Sequence, residues 1–442
     1  QINEIYNLSH LLNFIIYTIS LYLFYKILNK RFKNSYLSIL FVIIIFLTPR
    51  FFAESFYNSR DIFFFSLFIL FLYSAQKYIY KDNIQNILLI SFSSALLINA
   101  KVLGIIPFIL FFIMYLSYAS DMKKENIKIF KQIFFIIILT IFFIIILWPY
   151  LWFNPFDNFL SAYIDIIKVQ NDLKITTFYA GDYLAGNNTP WHYRLVWFYI
   201  TTPLIVCILF SLALIYLVRK LVLKILNLNN INSILWNDKD DFFDFYLVLL
   251  LLSIIFLTIK FNVSQFGGWR HLYFLYAIII YLSGFICNLC IKHKKKIFIK
   301  SLSILILLNV LYNIYWIYKN HPNQNNFFNI LFANYAQKNF DLDYWGLSNL
   351  NALKFIINNE KKNNIKVSTI SFSDLKTSVL KLEKKDRERI QIVFDSNEAD
   401  YLIDSYMRRP RKNFIITPED FKVVYDLKVN NTSINTVYKK LE

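Results

Sequence analysis

Ten apolar stretches constrain this chain more than any other feature. They run at about residues 10–28, 36–48, 62–78, 84–100, 103–119, 132–147, 193–218, 243–260, 271–291 and 298–318. At 1.5 Å per residue a helix of about 20 residues crosses the hydrocarbon core of a bilayer, where the backbone must satisfy its own N–H and C=O groups. The pattern therefore predicts a polytopic α-helical membrane protein, a bundle of about ten spans over residues 1–320. Composition excludes the soluble alternative: of 442 residues 57% are hydrophobic and only 17% charged, with mean hydropathy +0.43.

The formal net charge of +18 raises the question of nucleic acid. No basic domain with interleaved glycines or aromatics is present, so none is expected as a partner. Lysine and arginine instead crowd the short joins at residues 26–33 (KILNKRFK), 77–81, 121–131 (DMKKENIKIFK), 219–224 and 292–300 (KHKKKIFIK). Short basic joins stay in the cytoplasm. The joins at 49–61, around Lys101, at 148–192 and at 261–270 then fall on the extracytoplasmic face, together with both termini. Three cysteines provide no disulfide framework. Cys287 and Cys290 have CxxC spacing, but without a second pair or paired histidines they read as residues near a helix end rather than a zinc site.

Four charges of both signs, Arg50, Glu54, Arg60 and Asp61, are packed into TPRFFAESFYNSRDI at residues 48–62. A charge at mid-bilayer costs roughly 2.5–3.5 kcal/mol on insertion scales, so these groups belong at the interface or in a wet cavity between helices. Two readings stand: a solvated loop with a local Arg–Asp pair, or an acidic and cationic reaction site. Candidate partners lie on the same face. In QFGGWR, Gly267 and Gly268 permit unusual backbone or close ligand approach. Arg270 with His271 then heads the next helix, where a guanidinium and backbone N–H groups can share one phosphate. Lys101 reads either as a snorkelling lysine or as a further phosphate contact. His192 and Arg194 lie in the polar AGDYLAGNNTPWHYR (180–194) that closes the long 148–192 join and leads into the next span; the join begins with Trp148, Tyr150, Trp152 and Phe153 at an interface and has Pro149 and Pro155 to stop the helix. Its middle, residues 161–174, predicts an amphipathic helix lying along the membrane.

Beyond about residue 319 the hydropathy collapses. Residues 345–442 alternate a Ser348-capped helix, strand-like KVSTISF, a charged helix (SDLKTSVLKLEKKDRER), and strand-like IQIVF, ADYLI, FKVVYDL and INTVYKK. Residues 321–442 are thus expected to form a small extracytoplasmic α/β domain, with the basic run at 408–412 as a solvated face.

Four parts of the chain together carry a family likeness: SHLLNF (9–14), PRFFAESFYNSRD (49–61), GGWRHLYF (267–274), and HPNQNNFFN (321–329) with DLDYWGLSNLNALKF (341–355). In order and sidedness the chain resembles the GT-C superfamily of integral-membrane glycosyltransferases, specifically bacterial relatives of protein O-mannosyltransferases and of the lipid A aminoarabinose transferase. The resemblance covers essentially the whole chain. It implies a bundle in the bacterial inner membrane, a polyprenyl-phosphate-linked sugar as donor, and a hydroxyl on an extracytoplasmic protein, lipid or glycan as acceptor. Transfer would invert the anomeric carbon, with a carboxylate as general base and cations or a divalent metal ion on the leaving phosphate. Asp61 and Glu54 become the candidate acids, Arg270, His271, Lys101 and Arg50 the candidate phosphate contacts, and His192 and Arg194 acceptor-side candidates.

Two departures from the family pattern matter. Its usual catalytic carboxylate lies in the first outer loop, before this chain begins, so a helix and loop carrying the principal base are expected upstream of Gln1, with Asp61 as a second acid binding metal, sugar or acceptor. Ser9 precedes His10 where relatives are expected to carry a basic residue. A transporter or lipid flippase is the competing reading, against which stand the lack of paired Gly/Pro-broken helices and of an internal repeat. A catalytically inactive scaffold with a binding domain is the third.

Overall fold

A computed structural model describes residues 2–123, 125–172, 176–227, 235–293, 296–407 and 420–441. The helices of the bundle are α1 (Ile2–Phe32), α2 (Ser35–Phe46), α3 (Pro49–Tyr57), α4 (Asp61–Tyr80), α5 (Ile84–Ala100), α6 (Ile105–Asp121), α7 (Asn126–Leu147), α8 (Pro155–Asp172), α9 (Tyr193–Thr201), α10 (Leu204–Leu226), α11 (Lys239–Lys260), α12 (Tyr276–Lys292) and α13 (Lys296–Lys319). Each of the ten apolar stretches is helical, though not as ten equal spans. Among the described residues eight helices are long and apolar enough to cross a membrane, and α5, at 17 residues, falls just short.

The exceptions have local causes. α2 is only 12 residues long, because Thr48–Pro49 stops it and α3 leaves at 67°. Pro49 sits at the first helical position, where its missing N–H costs nothing. The segment 49–61, which the charge pattern presents as a loop, is therefore mostly a short helix turned across the bundle, with Phe51, Ala53, Glu54 and Ser55 buried. Residues 193–218 likewise divide, at Thr202–Pro203, into α9 and α10.

α4 and the segment Arg270–Lys292 are the most enclosed spans, each 78% buried. α7 and α13 lie at the periphery, 22% and 17% buried, and expose Phe134, Ile138, Phe142, Leu305, Leu308 and Leu311 in rows that suit contact with lipid tails. The basic joins collect at the end of the bundle where α4 finishes. There Arg31 donates to both carboxylate oxygens of Asp244, Lys220 and Lys224 meet Asp241, the Tyr80 hydroxyl donates to Asp240, and Asp121 accepts the N–H groups of Leu235 and Trp236. Asp61, at the first residue of α4, lies at the opposite end with Lys101 and Arg270.

In the long join, α8 exposes Phe156, Leu160 and Ile164 at every fourth position, the amphipathic helix the sequence predicts. An antiparallel hairpin, β1 (Thr176–Tyr179) and β2 (Asp182–Ala185), follows it; the sequence reads there as a polar loop. After a short helix α14 (Ala336–Asn339) comes the C-terminal domain: α15 (Asn349–Asn359), β3 (Ile365–Thr369), α16 (Leu375–Leu380), α17 (Lys384–Arg387), β4 (Ile390–Ile392), β5 (Tyr401–Asp404), β6 (Phe421–Val429) and β7 (Thr432–Lys440). All five strand-like stretches are strands, in the order β4-β3-β5-β7-β6, with β3 parallel to both neighbours and the other pairs antiparallel. The charged helix breaks into α16 and α17. Ser348 precedes α15 but makes no side-chain cap; its hydroxyl donates to Asp343 instead. The run 408–412 lies outside the described residues.

The domain is seated on the bundle by polar and apolar contacts together. The Thr432 hydroxyl donates to the Ala333 carbonyl at 2.8 Å, the Asp341 N–H to Phe178 at 3.2 Å and the Asp343 N–H to the Asn326 side chain at 2.7 Å. Val429 and Ile434 belong to the same buried cluster as the helices.

Lys101 is delivered by a tight reversal: α5 ends, one 3₁₀ turn (Val102–Gly104) follows, and α6 begins. A Cβ on Gly104 would lie 2.5 Å from the Leu97 carbonyl oxygen, so only glycine lets the turn close against the last turn of α5. Gly104→Ala is expected to cost about 1–3 kcal/mol and to lower the melting midpoint of the detergent-purified protein; an unchanged midpoint would remove this approach from the account of Lys101.

Candidate active site

The two most enclosed spans meet at their heads. Asp61 opens α4, where unpaired N–H groups favour an anion. Arg270 opens the 3₁₀ turn Arg270–Leu275 leading into α12, where the same dipole disfavours a cation, so a guanidinium there needs an anion close by. Asp61 supplies it. Its Oδ2 accepts from Arg270 at 2.8 Å, and its Oδ1 from the Lys101 ammonium at 2.6 Å. The side chains of Asp61, Arg270 and Lys101 are 2%, 9% and 25% exposed. Lys101, the C-cap of α5, therefore turns inward to a carboxylate rather than outward along the membrane surface.

Glu54 comes from α3 on the near side of Asp61. The Tyr273 hydroxyl donates to its Oε1 at 3.0 Å and the Asn58 amide to its Oε2 at 2.6 Å. Asn58 joins the two acids: its amide also donates to Asp61 at 3.2 Å, and its carbonyl oxygen accepts the Asp61 N–H at 2.9 Å. Glu54, Asn58 and Asp61 are all buried, and their separations of four and three residues let the end of α3 and the start of α4 converge. Among the described residues Glu54 makes no ion pair within 4 Å. Arg60, the fourth charge of the stretch, is exposed.

Aromatic rings close round both arginines. Arg270 lies 4.5 Å from the Tyr344 ring centroid, 4.9 Å from that of Phe266 and 5.7 Å from that of Trp345, and donates to the Tyr344 hydroxyl at 2.9 Å. Gly267, at φ +65, makes the approach possible, since a Cβ there would sit 2.6 Å from the Tyr344 ring. Arg50 lies over Phe328 and Trp197 and donates from Nε to the Phe327 carbonyl at 2.9 Å. Arg50, Glu54, Arg270, Asp343 and Tyr344 line one small cavity of about 20 Å³, room for a single water. Tyr344 and Trp345 also line a chamber of about 660 Å³ between α3 and the C-terminal domain, so they form the wall between the two.

Asp343 anchors that wall. It accepts the Asn325 amide at 3.1 Å, the N–H groups of Leu347 at 3.2 Å and Ser348 at 2.9 Å, and the Ser348 hydroxyl. Burial pushes its carboxyl above the ordinary value, against the pull of these hydrogen bonds.

Of the other candidates, His271 stays within electrostatic reach of Asp61 and Arg270 without bonding to either, and His192 and Arg194 have partners elsewhere. His271 packs edge-on against Phe266 at 4.8 Å, with a buried Nε2 that has no hydrogen-bond partner among the described residues. His192 pairs through Nδ1 with the Tyr179 hydroxyl at 2.7 Å. Arg194 donates to the carbonyls of Thr258 at 3.1 Å and Val263 at 2.8 Å, pinning the end of α11. Neither lines the two cavities. Cys287 and Cys290, in the last turns of α12, are not joined in a disulfide. Among the described residues no group of three His, Cys, Asp or Glu side chains is placed to hold a metal ion.

Sequence reading missed Asn58, Tyr273, Asn325, Asn326, Asp343 and Tyr344. Asn58 could have been found four residues after Glu54; the others lie inside stretches already singled out. The sequence matches no protein-family model, and no curated protein is significantly similar to it.

Two outcomes follow from this geometry. Asp61→Asn leaves Arg270 and Lys101 uncompensated, and since Lys101 is partly exposed the loss is expected near the lower end of that for a broken buried pair, about 3 kcal/mol. Adding Arg270→Met should recover at least about 1 kcal/mol in a double-mutant cycle; strictly additive losses would show that the pair is not coupled. Asp343 titrates with a raised value in the fold, so its contribution to stability is present below the ordinary aspartate value of 3.8 and is lost as pH rises through the raised one. The stability gap between wild type and Asp343→Asn should therefore narrow as pH is raised, measured by thermal melts in one detergent; a constant gap contradicts the shift.

Proposed function

We propose that this chain is a membrane-embedded glycosyltransferase that moves a sugar from a polyprenyl-phosphate-linked donor to an extracytoplasmic acceptor hydroxyl. Convergence carries the reading. Stretches as far apart as 49–61, 267–274, 321–329 and 341–355 contribute Glu54 and Asp61, Arg270 and Tyr273, Asn325 and Asn326, and Asp343 and Tyr344 to one buried site. These are the segments whose order gives the chain its likeness to the GT-C enzymes. The positive-inside rule favours the basic end of the bundle in the cytoplasm and the site on the outer face, and the resemblance implies that the membrane is the bacterial inner one.

The contacts divide the labour. Asp61 has both oxygens committed to cations, which makes it the organiser of Arg270 and Lys101. Glu54 receives hydrogen bonds from neutral groups and lines the cavity, which suits it to take a proton from an acceptor hydroxyl. Arg50 and Arg270, on the same cavity wall, suit the donor phosphate. An open groove of about 350 Å³ along α1 and the start of α4, lined by Ile5, Leu8, Leu12, Ile16 and Phe63 and reaching Ser59, suits a prenyl chain. A transporter would need its charges near mid-membrane, whereas Asp61 and Arg270 stand at the first residues of their spans.

The test uses the full-length protein in proteoliposomes supplied with polyprenyl-phospho-hexose and envelope acceptors. Donor consumption is expected, with Glu54→Gln lowering kcat at least about 100-fold at little change in KM and Arg50→Gln raising KM for the donor. Wild-type protein that consumes no donor sinks the function, and full activity in Glu54→Gln moves the base elsewhere.

A further inference from the structure

The 660 Å³ chamber is built on two sides by different parts of the fold. One wall is the outer face of α3 and the turn before the C-terminal domain, with Phe52, Phe56, Tyr57 and Trp345. The other lies beyond the carboxyl ends of the parallel strands β3 and β5, where Phe372, Ser373 and Met407 emerge and α16 follows with Thr377 and Ser378. Ligands of α/β sheets bind outside these strand ends. A hydroxyl network of Thr369, Ser371, Ser373 and Ser405, at 2.9–3.1 Å, holds the loops there.

The lining carries one ammonium and one carboxylate, Lys381 and Asp374, which are not paired with each other. Lys381, just past α16, is half-buried with its ammonium 5.4 Å from the Tyr6 ring centroid, and no carboxylate lies within 4 Å of it among the described residues. His10 lines the same chamber, within electrostatic reach of Lys381. Asp374 is the one acid on the lining, and its carboxylate is taken up by the Lys376 N–H at 2.9 Å and the Thr377 hydroxyl at 3.1 Å. Burial lowers the proton affinity of the Lys381 ammonium, a cost that an incoming anion would offset.

We propose that this chamber binds an anionic sugar, its ring against the aromatic walls, its hydroxyls at the Ser373–Thr377–Ser378 rim, and its carboxylate or phosphate at Lys381 and His10. Aromatic faces suit the apolar faces of sugar rings, hydroxyl-bearing side chains suit their edges, and an unpaired ammonium adds the preference for negative charge. As an acceptor subsite the chamber rests on the glycosyltransferase reading, because Tyr344 and Trp345 line both it and the cavity of Glu54 and Arg270. As a binding site it needs no turnover.

The experiment is microscale thermophoresis on the full-length protein in detergent, with glucuronic acid, glucose 6-phosphate, glucose and inorganic phosphate as probes. At least one anionic sugar should bind at least tenfold more tightly than glucose, and glucose 6-phosphate more tightly than inorganic phosphate. Lys381→Gln should abolish the tenfold preference and Lys381→Arg retain it. Equal binding of glucose and both anionic sugars, or an unchanged preference in Lys381→Gln, overturns the proposal. Binding by a protein that consumes no polyprenyl-linked donor leaves the subsite standing and removes the transferase reading; donor consumption without this preference does the reverse.

Discussion

Arg270 carries its charge where the backbone is least favourable to it, at the start of a helical segment in the most enclosed part of the bundle. It can be buried there only because Asp61 arrives at the head of the neighbouring span, 2.8 Å away. Removing either partner would strand a charge in a medium that screens it poorly. Much of the surrounding architecture follows from keeping that pair together. The turn at Gly104 presents Lys101 to the second carboxylate oxygen. The break at Thr48–Pro49 swings α3 across the bundle, so that Asn58 can hold Asp61 and Glu54 at once.

The aromatic content of the chain, 19% of residues, has a particular use at this end. Rings of Phe266, Tyr344 and Trp345 surround the Arg270 guanidinium, and those of Trp197 and Phe328 lie against Arg50. Such walls exclude water while offering π-faces that tolerate a cation. With water excluded, the hydrogen bonds from Tyr273 and Asn58 act on Glu54 at a lower effective dielectric, where they count for more than they would at a surface. Two guanidiniums, Arg50 and Arg270, are thereby held at fixed places beside the carboxyls of Glu54, Asp341 and Asp343.

The helical bundle was legible because apolar periodicity and length are properties of a segment by itself. So were the five strands of the C-terminal domain, whose alternation needs no partner to be seen. What could not be read were consequences of contact. Lys101 is equally a snorkelling lysine or an inward cation until the turn at Gly104 is known. Arg194 has carbonyl partners at Thr258 and Val263, more than sixty residues on, and no local pattern records them. Ser348 looks like a helix cap because serine usually is one there, but the buried Asp343 competes for its hydroxyl and wins. The hairpin of β1 and β2 was hidden by its Ala180–Gly181 turn, both residues at positive φ, which reads as loop chemistry.

The stretch DLDYWG joins the two halves of the molecule at the wall between the two cavities. Asp343 fixes the start of the C-terminal domain through Leu347 and Ser348 while holding Asn325 from the bundle side. The next residue, Tyr344, accepts a hydrogen bond from Arg270, and Trp345 stacks edge-on against Tyr57 at 5.6 Å. A ligand in the chamber would press on the far faces of the same two rings that pack against the arginine. Any shift of Tyr344 must then alter the contacts of Arg270, and through it the share of that guanidinium available beyond Asp61. In this arrangement Tyr344 and Trp345 line the cavities on both sides, so the C-terminal domain and the Arg270 site share the same two side chains.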